Sequence, residues 1–594
     1  MSAEVPPQWA TGLADAFAFE SKNRETQREL DRVTRRANRA EKELAKIRTS
    51  AWWRVSGPLR RRGARSKPEG SLPKTDEKKR QIGPRSTPTD RPHAATENLP
   101  THQAALVGRL VAVLHEYDEQ LPESKTVDNQ LPTAIAAISR LIAANSDDRE
   151  LAWVTYIAII AEFPRSEDML LFHTGIKVAG AARAIARLLA TNTTRPKSWA
   201  HFAELELVRE VVVDPTSTSH RDSHTGIQRV VREAVTRWTT QNRVELMIWG
   251  GKGRVFRPPT PLEVLRATQL VPTSRPKLEN DYVHAGRIRV PWRTQIIVPE
   301  PTSQLGRAQA LECLAEWSSN EVAAIFYDLI MYAMPESLND SSRIGLTNYI
   351  PVLRSATRIS TISAAVKVDL EHFLIALRSL GLSQPKLAAN LLPVTAEIRT
   401  ANEIEMNRSR VEGVPGLPIV LSVGSLEPRK NQLMTLRAAE MLWNEGLQFQ
   451  LLFIGWASWR ADDVIAEIES ARASGRPVRI IRQAEEELLW SAYAMARFSM
   501  YISISEGYGL PIGESLAAGT PVITSNYGSM AEVAEYGGAT TVDPRGLTDV
   551  SDAMRTLLCD DAELARLTSQ IGQRDARDWD GYAEQTWSWL VDGV

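Results

Sequence analysis

Cysteine is nearly missing from this chain of 594 residues. It holds two, Cys313 and Cys559, which excludes a disulfide scaffold and any cysteine-rich zinc module and fits a reducing, cytoplasmic setting. Net charge is nearly missing too. The 71 Lys+Arg and 72 Asp+Glu leave −1, so a general nucleic-acid binder is not expected. No apolar run reaches the ~20 residues that span a bilayer; the longest lies near Leu151 to Phe163. The N-terminus lacks a basic start followed by an apolar stretch, so no signal peptide is expected. No paired-aspartate metal motif stands at a strand end, and Asp147-Asp148 and Asp560-Asp561 read as surface charges. What is there, 43% hydrophobic and 24% charged residues, is globular protein too long for one core. At ~150 residues per domain, roughly four units are expected.

The charge is unevenly spread. Residues 20–67 hold 16 Lys+Arg against 6 Asp+Glu, a basic arm on a net acidic body. Within it Leu30, Val33, Ala37, Ala40, Leu44 and Ile47 alternate at steps of three and four, with Phe19 on the same phase. That is the spacing of a coiled-coil seam. It reads either as a helix joining subunits through residues 19–47 or as a solvated helix on its own protein. Trp52-Trp53 and Arg60-Arg61-Arg62 follow. Paired indoles beside cations suit the inner face of an anionic membrane, as a peripheral contact; the alternative is tryptophan packing on another domain. Residues 67–100, with six prolines and few large apolar residues, read as a linker. Residues 101–205 read as a helical domain for docking or packing, with Leu106, Leu110, Val113 and Leu114, then Ile135, Ile138 and Ile142, then Ala179 to Leu189 at helical spacing.

From about Leu207 short β-branched runs alternate with helix-length stretches. The predicted strands are Glu210–Val213, Val244–Trp249, Gln295–Val298, Val322–Tyr327 and Arg358–Ile362. After Pro418 come Ile419–Val423, Gln450–Ile454, Val478–Ile481, Ser499–Ile504, Pro521–Thr524 and Ala539–Val542. This alternation predicts α/β architecture: two doubly wound, Rossmann-like domains over residues 206–400 and 401–594, facing a cleft, with ligands at the carboxyl ends of the strands.

Two strand ends carry chemistry. Ile419–Val423 runs into Gly424-Ser425-Leu426-Glu427-Pro428-Arg429-Lys430-Asn431. Gly424 lets the backbone turn, and Arg429 and Lys430 beside a helix N-terminus can hold a diphosphate. Taken alone, this segment reads better as a solvated Arg-Lys pair. The second strand end is Ser505-Glu506-Gly507-Tyr508-Gly509-Leu510-Pro511-Ile512-Gly513-Glu514. Glu506 falls in a glycine-rich loop, Glu514 about one turn into the next helix, and Gly507 and Gly509 permit close backbone approach. Two buried carboxylates without a metal need hydroxyl or amide donors, which a sugar nucleotide offers.

The run from Ser505 to Pro511, continued by Glu514-Ser515-Leu516-Ala517-Ala518-Gly519-Thr520-Pro521-Val522, resembles the donor-site motif of glycosyltransferase family 4, retaining enzymes of the GT-B fold. Leu452-Phe453-Ile454-Gly455-Trp456 is similar to that family's nucleotide-side strand end, and Leu488 to Tyr493 to the helix before the motif. His224-Thr225-Gly226-Ile227-Gln228-Arg229-Val230-Val231-Arg232 resembles the glycine loop of polysaccharide mannosyl- and rhamnosyltransferases. The resemblance covers about residues 205–594. It implies that Arg429 and Lys430 hold the donor diphosphate, Glu506 the sugar hydroxyls and Glu514 the ribose, with Gly226, Gly424, Gly455, Gly507, Tyr508, Gly509 and Leu510 around the donor. It also implies catalysis without a metal or cofactor. The family often carries a histidine where this chain has Tyr327, in Phe326-Tyr327-Asp328-Leu329; Tyr327 and Asp328 are therefore acceptor-side candidates, with packing a competing role for Tyr327.

The expectation is a hexosyltransferase, of mannose or rhamnose type, that moves a sugar from a nucleotide-diphosphate sugar to a glycan or lipid-linked acceptor in envelope or capsular polysaccharide synthesis. Its competitors are a sugar-nucleotide epimerase on the same fold and a non-catalytic sugar-nucleotide-binding scaffold.

Overall fold

The computed structural model describes residues 102–594 apart from 121–129, 195–197, 222–224, 251–252, 269–285, 335–339, 379–383, 394–398, 459, 483 and 574–576. The basic arm, its seam at 19–47, Trp52-Trp53, the linker and His224 lie outside the described residues. The compact unit is Leu99–Val594.

Two six-stranded, all-parallel sheets organise this unit. The first runs, in spatial order, Lys386–Ala389, Ala356–Thr361, Glu321–Phe326, Gln295–Val298, Val211–Val213, Val244–Leu246. The second runs Val478–Ile481, Gln450–Ile454, Ile419–Val423, Phe498–Tyr501, Val522–Ser525, Ala539–Val542. Helices join consecutive strands, so both are doubly wound, Rossmann-like sheets. In each the strand order reverses once. The reversal lies between Val211–Val213 and Gln295–Val298 in the first sheet, and between Ile419–Val423 and Phe498–Tyr501 in the second. Such points open a crevice beyond the carboxyl ends of the strands.

Strand limits follow side-chain and backbone demands. Ile419–Val423 pairs in register with Gln450–Ile454 along its whole length. The strand predicted at Val244–Trp249 divides: Val244–Leu246 joins the sheet, and Ile248–Gly250 pairs antiparallel with Val255–Arg257. The strand predicted to reach Ile504 ends at Tyr501, because Ser525 Oγ donates to the Ser503 carbonyl at 2.6 Å and Ile504 N–H donates to Arg429 O at 2.9 Å.

The helices before the first sheet are set by the apolar run at 151–163. Arg149–Ile160 is buried around its whole circumference from Glu150 on, as expected for a helix apolar on every face. Asp148 caps its first turn, accepting from Leu151 N–H at 2.9 Å, and Ala161 ends it in the left-handed region at φ 61°. Its side chains share one core with the helices His102–Glu116, Gln130–Ala144, Ser166–Ala179 and Ala181–Thr194 and with one face of the first sheet. The chain's last helix, Trp579–Trp587, also packs on the first sheet's half. Trp238 Nε1 donates to Ala583 O at 2.9 Å, and Trp589 Nε1 to Ile359 O at 3.0 Å. No helix among the described residues is long and apolar enough to cross a membrane.

Candidate active site

The reversal point of the second sheet gathers the charged residues. Gly424 leaves its strand at φ +142°, and a Cβ on Gly455 would stand 1.8 Å from the Gly424 carbonyl oxygen. Gly455 is therefore needed for two neighbouring strand ends to touch. The chain then makes a short turn, Pro428–Lys430, and enters the helix Gln432–Asn444 through Asn431 at φ 59°. Asn431 Nδ2 donates to Ile502 O at 3.2 Å and Pro544 O at 2.8 Å, which fixes the turn against the neighbouring loop.

Across the reversal stands Glu506. Its Oε1 takes Lys430 Nζ at 2.6 Å, Ser503 Oγ at 2.6 Å and an Arg429 guanidinium nitrogen at 2.8 Å. Arg429 also donates to Ser505 O and to Glu427 Oε1, each at 2.6 Å, and Lys430 donates to the Tyr501 hydroxyl at 2.5 Å. Burial alone would raise the Glu506 carboxyl. The charges of Lys430 and Arg429, with hydrogen bonds from Lys430 and Ser503, outweigh it and hold the carboxyl down to about 2. Lys430, Ser503 and Arg429 all reach the same oxygen, so the ionised side chain is held fixed.

The first sheet's half closes on this loop. A Cβ on Gly507 would meet the Tyr327 carbonyl oxygen at 2.2 Å. Ser363 Oγ donates to Gly507 O at 2.8 Å, and the Tyr508 hydroxyl to Leu392 O at 2.6 Å. Asp328 thus lies beside Glu506 and Arg429. Burial raises its carboxyl above the usual range, opposed by the Ile330 N–H and the Arg429 charge. The Tyr327 side chain points away: its hydroxyl donates to Pro299 O at 2.8 Å, and the residue is 4% exposed. Asp328, Ser505 and Glu506 line a pocket of about 280 Å³, completed by the helices Ile330–Ala333 and Ala364–Arg378.

A second cluster joins the start of the helix Gly226–Gln241 to the helix Leu510–Ala517. A Cβ on Gly226 would come within 3.1 Å of Leu510 Cδ1. Glu514 takes Arg229 at 3.2 Å on one oxygen and the Tyr493 hydroxyl at 3.1 Å on the other. Burial raises the Glu514 carboxyl, with the Arg229 charge and the Tyr493 hydroxyl working against it. Gly509 caps the helix Leu510–Ala517 at φ +99°.

The structure therefore brings Arg429, Lys430, Glu506 and Asp328 together and groups Gly226, Leu510 and Glu514 beside them. The donors to both carboxylates were expected from a ligand. They are supplied here by the protein: Lys430, Arg429 and Ser503 for one, Arg229 and Tyr493 for the other. Ser503, Tyr501, Arg229 and Tyr493 were not singled out from the sequence, although Arg229 and Tyr493 lie within the motif segments. Asp369 and His372, both on the pocket wall, lie in no motif at all. Among the described residues no cluster of three His, Cys, Asp or Glu side chains is placed to hold a metal ion.

Comparison with known proteins agrees on the second sheet's half. Over 345 residues the chain is 24% identical to the serotype-specific mannosyltransferase WbdA of Escherichia coli, covering 55% of this chain and 40% of that protein. It is 32% identical to the O-antigen chain mannosyltransferase B of Escherichia coli over 168 residues, 28% of this chain and 44% of that one. The chain thus spans less than half the length of these relatives. Among solved structures, Anabaena HepE in complex with UDP and glucose matches at a TM-score of 0.45 and 13% identity, over 64% of this chain and 99% of that one. The family model of glycosyl transferases group 1 matches residues 405–574, the segment that holds Arg429, Lys430, Glu506 and Glu514. Residues 405–574, on the second of the two Rossmann-like sheets, thus resemble a group 1 glycosyltransferase domain.

Proposed function

We propose that the chain is a retaining hexosyltransferase that uses a nucleotide-diphosphate sugar and a glycan or lipid-linked acceptor, in the assembly of an envelope or capsular polysaccharide. Its similarity to two mannosyltransferases makes mannose the first donor sugar to try, with rhamnose next. The observation that carries the reading is Glu506. Its carboxylate is held ionised by two cations at a strand reversal, and the residue lines the pocket.

In this reading Arg429 and Lys430 exchange part of their bond to Glu506 for the donor diphosphate, and they stabilise the charge that grows on it as the sugar leaves. Glu506 Oε2 takes sugar hydroxyls, and Glu514 takes the ribose alongside Arg229. The acceptor approaches from Asp328. A cationic leaving-group site makes a divalent ion unnecessary for catalysis, so exhaustive chelation should leave the transfer rate intact. A strict requirement for Mg²⁺ or Mn²⁺, restored by adding the ion back, contradicts this. The test of the function is a panel of nucleotide sugars screened for thermal stabilisation and then for transfer. A donor at ~100 times its dissociation constant adds about 2.7 kcal/mol of stability.

One observation favours the non-catalytic scaffold. The residue in the family's histidine position is Tyr327, and its side chain is buried and hydrogen-bonded to Pro299, with no access to the pocket. Donor binding without transfer to, or hydrolysis by, any partner tried would support that second reading.

The basic arm extends the proposal. Its seam at residues 19–47 assembles subunits, and Trp52-Trp53 with Arg60-Arg61-Arg62 holds the enzyme at the inner face of an anionic membrane as a peripheral protein. Each basic residue near such a surface contributes ~1 kcal/mol, less as salt rises. Deleting residues 1–66 should lower the oligomeric state and remove salt-sensitive vesicle binding. A monomeric full-length protein defeats the first claim, and equal vesicle binding by both forms defeats the second.

A further inference from the structure

The pocket beside Glu506 has a composition that selects among acceptors. Its wall holds the carboxylates of Asp328, Asp369 and Glu506, with His372, Tyr332 and Ser505, and no lysine or arginine among the described residues lines it. The nearest cations, Arg429 and Lys430, are engaged by Glu506 and Glu427. Asp369 and His372 stand one turn apart on the helix Ala364–Arg378, and both are exposed. Tyr332 is 43% exposed, and its ring is backed by Phe373 at 4.9 Å, so the aromatic surface is held in place while remaining accessible.

Carboxylates accept hydrogen bonds and donate none when ionised. With Glu506 assigned to the donor, a ligand for Asp328 and Asp369 must bring donors, and a polyol does. An aromatic surface suits the apolar C–H face of a sugar ring. A second anion in the same pocket would meet like charge, with the nearest described cations, Arg429 and Lys430, already engaged, and such juxtaposition is costly. Resting on the transfer reading above, we infer that this pocket binds the terminal residue of the acceptor and that this residue is a neutral sugar, not a uronic acid or a phosphorylated sugar. Asp369 and Tyr332 set that preference: Asp369 accepts from hydroxyls and repels anions, and Tyr332 carries the ring.

The test uses the full chain saturated with nucleoside diphosphate. Three probes are titrated and read by ligand-observed NMR: a neutral methyl hexoside, the matching methyl hexuronide and the hexose 6-phosphate. The hexoside should bind at least about tenfold more tightly than either anion. Asp369→Lys should bring the anions to within about threefold of the hexoside, and Tyr332→Ala should weaken all three without changing their ratio. Equal or tighter binding of an anion by the parent overturns the inference. So does an unchanged ratio in Asp369→Lys, a surface substitution that does not threaten folding. Failure of all three sugars to bind overturns it as well. Absence of nucleoside diphosphate binding, recorded before the sugars are added, is the separate failure that defeats the transfer reading itself.

Discussion

The two sheets use the crevice at their strand reversals in opposite ways. In the first, the crevice is filled by a closed ionic network. Arg307 Nε donates to Asp214 Oδ2 at 2.9 Å, and another of its nitrogens to Glu300 Oε1 at 3.2 Å. Trp249 Nε1 and Thr216 Oγ1 complete Asp214, and Thr218, through its N–H and its hydroxyl, and Ser217 N–H complete Glu300. The Arg307 and Asp214 side chains are 0% exposed and that of Glu300 is 2%. In the second sheet, Arg429, Lys430 and Glu506 make a similar arrangement of two signs, 9% to 15% exposed, but Glu506 lines a pocket. A charge network satisfied on all sides is a brace. One that borders a pocket can bind a substrate.

The brace should fail first. Arg307→Met leaves Asp214 and Glu300 buried without their cation, and a loss of about 3–5 kcal/mol is expected, measured by chemical denaturation. A loss under ~1 kcal/mol would mean that the first crevice tolerates rearrangement and that the contrast is wrong. The second crevice should show its effect in binding. Arg429→Ala and Lys430→Ala should each weaken nucleoside diphosphate binding by ~1.5–3 kcal/mol, and unchanged affinities would return both cations to a structural role. Glu514→Gln should have a smaller effect, ~1 kcal/mol of the same affinity. No change would leave Glu514 as the anchor of Arg229 and Tyr493 only.

A separate effect is expected in acid. The Glu506 carboxyl is held at about 2 in the folded protein, below its value of ~4.3 in an unfolded chain. Its contribution to stability is therefore complete above ~4.3 and is lost as pH falls from there through 2. The melting temperature of the parent should fall across that window, and Glu506→Gln should flatten this part of the curve. A curve of the same shape in both would show that Glu506 is not the ionised member of the network.

The second crevice was legible in the sequence and the first was not, for physical reasons. Ile419–Val423, Gln450–Ile454 and Val478–Ile481 are apolar runs bounded by turn residues, and Gly424, Arg429, Lys430 and Glu506 sit in short loops directly after strands, where position follows from local chain geometry. Arg307 instead lies in Leu305–Trp317, a helix that looks ordinary, and reaches Asp214 across 93 residues; nothing local announces the pair. Lys386–Ala389 and Glu204–Val208 were missed as strands because Lys, Glu and Ala are weak strand formers, and neighbouring strands hold them in place. The pocket wall was hidden for a related reason. Asp369 and His372 share a helix face, but only the fold brings that face to Glu506.

The central claim is that Glu506 acts on the sugar while the two cations hold the diphosphate. Its most direct measurement is the transfer rate of Glu506→Ala beside its affinity for nucleoside diphosphate, with the donor that the panel identifies. Transfer should be lost while nucleoside diphosphate still binds. A transfer rate within about twofold of the parent, far less than the 1.4 kcal/mol of a tenfold change, would contradict it.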